Sequence, residues 1–217
     1  MGMNKLNNFK IKFDIEFKKN YAPNLFSWKE LEYLINIRPL MNTKLVHVPG
    51  SSSLTWTNDF WAADQNCYPP SLLKKLIETH ICYFVNMSRS TKKINNFANE
   101  IELKYKSCTD AHIYICKDIS ITHPFGIHYD FCHNIIVQCE GVTNFKVWDV
   151  FMDKNENSNL IIDEPPFLDV EMVPGDAIFI PAYIPHFAES KTPRLSVSFP
   201  FPDKKCEYFQ DRNWVSI

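Results

Sequence analysis

Residues 9 to 18 read Phe-Lys-Ile-Lys-Phe-Asp-Ile-Glu-Phe-Lys, an unbroken alternation of apolar and charged side chains. A period of two places all the apolar groups on one side of an extended backbone, so the run predicts a strand with one buried and one wet face. Pro23 and Asn24 end it, and the period then changes. Ser27-Trp28-Lys29-Glu30 fits a capping box, and Trp28, Leu31 and Ile35 follow at helical spacing up to Pro39. Leu45 to Val48 predicts a short strand. Residues 71 to 80 read as a helix with Leu72, Leu73, Leu76 and Ile77 on one side. A further helix is expected to start near Ser90 or Thr91, where Ile94, Phe97, Ala98 and Ile101 form the next apolar stripe.

After Lys106 the character changes to short β-like runs: 111–116, 119–122, 127–139, 143–149, 160–163, 169–172, 177–180 and 194–201. Turn signals separate them at Glu140-Gly141, Pro165-Pro166 and Pro174-Gly175-Asp176. Helices early and many short strands late predict a mainly β fold with flanking helices, built as a sandwich or a double-sheet barrel. The expected organisation is one domain over 1–217. An N-terminal strand and helical embellishment would occupy 1–106, and a β core 107–203. The irregular 39–70 stretch is expected to form loops over the barrel mouth.

Composition narrows the classes. The chain has 217 residues, 45% apolar and 22% charged, as ordinary soluble globular proteins do, and its 17 Phe predict an interior crowded with rings. A formal charge of −2 gives no general pull toward nucleic acid, which is therefore a disfavoured partner. Lys18-Lys19, Lys74-Lys75 and Lys92-Lys93 read as solvated faces. Seven Cys, an odd number without a CxxC pair, suggest neither a disulfide framework nor a zinc knuckle. Scattered thiols fit a reducing, intracellular compartment, and a cytoplasmic location is expected. Met1 to Lys10 carries no apolar signal region, and no run approaches a membrane span.

The candidate chemistry lies in His128-Tyr129-Asp130 and His186. His128 and Asp130 are two apart and would share a face of a strand. His186 follows the apolar run Ala177 to Ile180 and could come from a neighbouring strand, since inward positions of facing strands share one interior. Two imidazoles and one carboxylate on one side of a metal form the facial triad of non-haem Fe(II) oxygenases. Cys132, two past Asp130, reads as a small buried hydrophobe.

The wider pattern adds to this. Gly126-Ile127-His128-Tyr129-Asp130 is followed by Asn134-Ile135-Ile136-Val137-Gln138 and a turn at Gly141. His186 follows Pro-Gly-Asp, four apolar residues and Pro185. Over residues 111 to 201 the chain resembles the JmjC-like Fe(II)/2-oxoglutarate oxygenases of the double-stranded β-helix (jelly-roll, cupin) fold. The closest likeness is to the small hydroxylases that include the asparaginyl hydroxylase of hypoxia signalling, bacterial ribosomal-protein hydroxylases and the wybutosine tRNA hydroxylase. The resemblance implies Fe(II) held by His128, Asp130 and His186, with 2-oxoglutarate as cosubstrate. It further implies hydroxylation of a substrate C–H with release of succinate and CO2. Asn134 matches a polar position that helps hold the cosubstrate in that family.

One position departs from the pattern. The resembled branch carries a Lys or Arg two residues past the glycine, and here that position is Thr143. Residues 194, 196 and 198 share one strand face, so Arg194 points inward if Ser196 and Ser198 do. Other 2-oxoglutarate oxygenases grip the far carboxylate with an Arg-x-Ser pair after the distal His. Arg194 and Ser196 are therefore a candidate replacement, with an exposed Arg194 at the strand start as the alternative. Lys146 has the wrong parity relative to Thr143, and Lys117 and His123 have no periodicity in their favour. Tyr114 would bond the cosubstrate or simply pack. His133 should point away from Asn134, toward the outside or the mouth. Trp56, Trp61 and Tyr68 would line a substrate groove or pack on a helix.

Two rival functions remain open at this level. One is a metal-dependent cupin enzyme without 2-oxoglutarate, which Thr143 favours. The other is an inactive cupin-like binding module, which an intact triad disfavours, because three unfilled metal ligands facing an apolar cavity are costly to keep. A peptide, protein or small-molecule substrate is expected. The family likeness also leaves room for a homodimer through helices outside the barrel.

Overall fold

The computed structural model describes residues 14–37, 42–47, 69–121, 125–152 and 160–202. Among the described residues thirteen elements follow one another: β1 (Glu16–Lys18), α1 (Trp28–Ile37), β2 (Asn42–His47), α2 (Pro70–Thr79), β3 (Ile81–Val85), α3 (Lys92–Tyr105), β4 (His112–Cys116), β5 (His133–Glu140), β6 (Thr143–Val147), β7 (Leu168–Met172), β8 (Ala177–Ile180), β9 (His186–Ser190) and β10 (Arg194–Phe201). They form a seven-stranded sheet, β1-β8-β5-β10-β4-β3-β2, and a three-stranded sheet, β7-β6-β9. Every pairing is antiparallel.

The large sheet is buried on both faces. Ile135, Val137, Val197 and Phe199 pack with Leu31, Leu34, Ile94 and Ala98 of the helices. Ile136, Ile178 and Ile180, on the opposite face, pack with Phe145, Val147, Met172 and Ala188 of the small sheet. This explains why Ile135, Ile136 and Val137 of β5 follow one another with no polar residue between them: a strand covered on both sides loses its period of two. The result is the jelly-roll arrangement expected from the strand-rich C-terminal half.

The helices begin where the sequence says. Ser27 Oγ donates to Glu30 Oε2 at 2.7 Å, and Glu30 N donates back to Ser27 Oγ at 3.3 Å. Thr91 Oγ1 accepts from Ile94 N at 3.2 Å and opens α3. Only the end of the 9–18 alternation is described. There β1 covers Glu16–Lys18 and lies on β8, with Phe17 more buried than its charged neighbours. Residues 9–13 lie outside the described residues, as do Trp56, Trp61, Tyr68 and His123.

Several expected strands are corrected. Residues 119–122 form no strand over their described part. Asp118 Oδ1 accepts from Ser120 N at 3.0 Å and Ser120 Oγ at 2.6 Å, a local turn that takes the backbone out of any ladder. Residues 160–163 are irregular, tied by Leu160 N to Ile127 O at 3.0 Å, with Pro165 and Pro166 next in line. The 127–139 strand begins only at His133. β3 was not expected at all, although Ile81-Cys82-Tyr83-Phe84-Val85 is a five-residue apolar run between His80 and Asn86. It extends the large sheet beside β4. Cys82, Cys116, Cys132 and Cys139 are free thiols. No described helix is long and apolar enough to cross a membrane.

The β5–β6 turn is tightly pinned. Gly141 has φ +74°, and a Cβ there would lie 1.9 Å from the Pro193 carbonyl oxygen. Val142 N donates to Thr192 Oγ1 at 2.7 Å, and Lys191 N donates to Val142 O at 2.9 Å. Gly141→Ala is expected to destabilise the fold by more than ~1 kcal/mol, because it combines a left-handed φ with a backbone clash. Urea unfolding would register this as a lower midpoint with an unchanged slope.

Candidate metal centre

His128 and Asp130 do not sit on a regular strand, contrary to expectation. They lie in the segment before β5, held by a single bridge to the start of β9. His128 N donates to His186 O at 3.1 Å, and His186 N donates to His128 O at 2.7 Å. One residue pair thus exchanges both backbone bonds, so the two side chains leave the backbone on the same side. Their ring centroids are 4.4 Å apart. Tyr183 N donates to Asp130 O at 2.8 Å and fixes the third backbone position. Tyr183 itself adopts a left-handed φ of 64° in the turn that leads to His186.

The ligand atoms converge. One from each of His128, Asp130 and His186 lies within 4.8 Å of the others, and His186 Nε2 is 3.8 Å from Asp130 Oδ2. Both imidazoles are set to the same tautomer. His128 Nδ1 is 3.1 Å from Gly126 O, and His186 Nδ1 is 3.1 Å from Ile184 O. A carbonyl only accepts, so each Nδ1 carries the hydrogen and each Nε2 keeps a lone pair for an ion. Burial, then the nearby His186, pushes the His128 pKa down to about 4 against the pull of Asp130. A neutral imidazole is what a metal requires. Asn134 Nδ2 donates to Asp130 Oδ2 at 3.2 Å, and Ser198 Oγ donates to Asn134 Oδ1 at 2.6 Å. The carboxylate therefore has a fixed direction. These donors fit a divalent ion with three protein ligands and open positions.

A cavity of about 200 Å³ runs inward from these residues. Arg194, Ser196 and Tyr114 line it, together with Asn134, Ile136 and Phe145. Arg194 is 3% exposed, and its Nε and Nη1 have no hydrogen-bond partner among the described residues. Its guanidinium carbon lies 5.9 Å from the Tyr114 ring centroid. Burial pulls Arg194 below the ordinary guanidinium range, but a guanidinium stays charged in proteins. Arg194 is thus a buried cation with two unpartnered nitrogens, on a residue that lines the cavity, an arrangement that suits an anion.

Other candidates fall elsewhere. Thr143 is buried on β6, on the same face as Phe145, and its hydroxyl has no partner among the described residues. It is not among the cavity-lining residues. Lys146 is half-exposed on the opposite face of β6. Lys117 pairs with Glu78 and lies over the Trp28 ring, away from the cavity. His133 points away from Asn134, but it is buried rather than exposed. It packs near Phe179 and Phe201, and its Nδ1 accepts from Ala182 N at 3.1 Å. The helices that cover that face account for the difference. Tyr83, Phe125 and Phe145 also line the cavity and were not singled out from sequence. Tyr83 escaped with the whole of β3.

The family is decided by a match over residues 85–208, more than half of the chain, to the JmjC domain. This chain belongs to the JmjC domain family. Its fold is also similar to YcfD, a ribosomal oxygenase from Escherichia coli. The match to the complex with cobalt and 2-oxoglutarate has a TM-score of 0.60 at 16% identity, over 89% of this chain and 49% of that one. The complex with cobalt and succinic acid gives 0.58 at 16% identity over the same shares. A further X-ray structure of E. coli YcfD gives 0.61 at 15% identity, over 89% and 51%. At such identity it is the fold that is shared, and this JmjC chain spans about half the length of the YcfD chains it matches. No curated protein matches it in sequence.

The His128 environment has a measurable consequence. Its pKa is depressed on folding, so between about pH 6.5 and 4 the unfolded chain binds a proton that the folded chain refuses. Stability of the chelator-treated protein is therefore expected to fall as pH is lowered from 7 toward 4. Urea unfolding at pH 7 and pH 5 would measure this, and the His128→Gln variant is expected to show a shallower dependence.

Proposed function

We propose that this JmjC chain is an Fe(II)/2-oxoglutarate-dependent hydroxylase acting on a C–H of a peptide side chain, a protein or a small molecule. The single observation that carries this is Arg194, a buried guanidinium with unpaired nitrogens, in the same cavity as the His128, Asp130, His186 cluster. One end of the cavity suits a metal and the other suits a carboxylate, and a keto dicarboxylate needs both. The cobalt and 2-oxoglutarate complex of YcfD is consistent with that pairing.

When bound, Fe(II) and 2-oxoglutarate would supply the oxidising power, by coupling dioxygen reduction to the conversion of 2-oxoglutarate to succinate and CO2. The residues of this chain would do the rest. His128 and His186 would present their Nε2 lone pairs, and Asp130 its carboxylate, held by Asn134. Arg194, with Ser196 and Tyr114 beside it across the β10–β4 pairing, would grip the far carboxylate. Ile136, Phe145 and Ala188 would keep water out between the two ends. Arg194 stands in for the basic residue that Thr143 replaces, and this weighs against a cupin enzyme without 2-oxoglutarate. A binding module would have no use for two tautomers set toward one point.

Succinate release from 2-oxoglutarate, with Fe(II), ascorbate and oxygen, tests the proposal. Asp130→Ala is expected to abolish it while near-UV circular dichroism stays native. Arg194→Ala is expected to raise the apparent KM for 2-oxoglutarate by about tenfold or more, the worth of a charged hydrogen bond. Succinate release unchanged in either variant would overturn the corresponding role.

A further inference from the structure

The segment that carries two of the metal ligands also carries an aromatic surface. His128 and Asp130 line the cavity, whereas Tyr129 and Phe131, which alternate with them, are not among the lining residues. The rings of Tyr129 and Phe131 meet edge to face, with centroids 5.6 Å apart. Tyr183 packs on both, at 6.0 Å from Tyr129 and 5.8 Å from Phe131, and on Phe151 at 5.3 Å. Tyr129 is buried, but Phe131 is 65% exposed and Phe151 38%. Backbone bonds hold the cluster: Tyr183 N donates to Asp130 O at 2.8 Å, and Met152 N donates to Tyr183 O at 3.0 Å. They keep Tyr183 at its left-handed φ, a region that costs an aromatic residue free energy. The Asp130 side chain is 36% exposed, so the cavity reaches the surface along the same segment that presents Phe131.

Carboxylates rim this surface. Asp149 is exposed two residues before Phe151. Trp148 Nε1 donates to Glu164 O at 2.9 Å, which brings the exposed Asp163 and Glu164 next to Asp149. None of these acids forms an ion pair among the described residues. The segments that build the face, 125–131, 147–152, 160–167 and 182–186, contain no Lys or Arg. Exposed rings beside charge of a single sign select the chemistry of a partner. Nucleic acid and anionic lipid are repelled. A second copy of this chain is repelled as well, because a two-fold contact through this face brings the same acidic rim up against itself. A polypeptide with Lys or Arg around an apolar side chain satisfies both halves: the apolar side chain covers the rings and the cations meet the acids.

We propose that Phe131, Tyr183 and Phe151, with Asp149, Asp163 and Glu164 beside them, form a docking face for a basic polypeptide segment that inserts an apolar anchor among the rings. The anchor sits one residue along the chain from a metal ligand, so a segment held there passes the cavity entrance and offers a neighbouring side chain to it. The substrate is accordingly a polypeptide, and its affinity comes from contacts outside the cavity. What happens to the offered side chain rests on the hydroxylase reading above, whereas the docking itself does not. Rigid aromatic anchors at the centre and charges at the rim divide the work in the usual way: the rings fix affinity, and the acids fix the choice of partner and the rate of encounter.

The test is fluorescence anisotropy, with the full chain titrated into a fluorescein-labelled peptide of alternating Lys and Gly around one central Phe. Saturable binding is expected, weakening about tenfold or more as NaCl is raised from about 50 mM to about 500 mM. A peptide with Glu in place of Lys is expected not to bind, and one with Ala in place of Phe to bind about tenfold more weakly. Phe131→Ala is expected to cost about tenfold, and so is Asp149→Lys combined with Glu164→Lys. The second pair changes only exposed side chains, and an unchanged urea midpoint and near-UV circular dichroism establish that its fold is intact. Equal binding of the Lys and Glu peptides, or binding untouched by both sets of substitutions, overturns the docking face. So does a dimer in sedimentation velocity that Phe131→Ala dissolves, which would assign the face to a second copy. The peptide titration needs neither iron nor 2-oxoglutarate. Peptide binding without succinate release in the Fe(II) assay therefore sinks the hydroxylase reading and leaves the docking face standing, and succinate release without peptide binding does the reverse.

Discussion

The candidate centre depends on one backbone exchange. His128 and His186 trade two hydrogen bonds, 3.1 and 2.7 Å long, where an irregular segment meets the first residue of β9. Without that exchange, nothing regular would hold His128, because no strand begins until His133. With it, both rings leave the backbone side by side, and each is turned by a carbonyl two residues earlier in the chain, Gly126 or Ile184. The tautomer, the spacing and the direction of two nitrogen lone pairs all follow from local backbone geometry. Asp130 is steadied differently, through side chains, by Asn134 and Ser198 of the large sheet.

The cavity draws its polarity from simple alternation. Arg194, Ser196 and Ser198 lie on one face of β10, while Leu195, Val197 and Phe199 pack toward the helices. One strand thus serves two interiors with opposite chemistry. Burying a guanidinium there is unfavourable unless an anion compensates it, and among the described residues its Nε and Nη1 find no hydrogen-bond partner. That imbalance is a stronger pointer to a ligand than the size of the cavity.

Much of this was legible in the chain. The capping box at Ser27, the Thr91 helix start and the late β-rich half all rest on local periodicity, and local periodicity survives folding. Parity put Arg194, Ser196 and Ser198 on one face of β10 and left open whether that face was the inner one. What failed did so for non-local or competing reasons. Residues 119–122 lost their strand to an Asp118 turn, and β3 was hidden because a strand buried on both faces has no alternation to read. His133 had the right direction and the wrong surroundings, since strand parity cannot say what covers the far face. Tyr83 followed β3 out of view, and with it the 2.7 Å contact between its hydroxyl and His112 Nδ1.

The three candidate ligands reach the site from both layers: Asp130 is tied through Asn134 to the large sheet, and His128 is bridged to His186 of the small one. His128 and Asp130 precede β5 of the large sheet, whereas His186 opens β9 of the small one. An ion shared among them would act as a rivet between the layers at the open end of the jelly roll. Occupancy would then stiffen the mouth as well as equip it, because an ion that binds only the closed arrangement opposes the parting of the sheets. In such a barrel, the supply of metal would govern breathing at the entrance and chemistry within by the same contact.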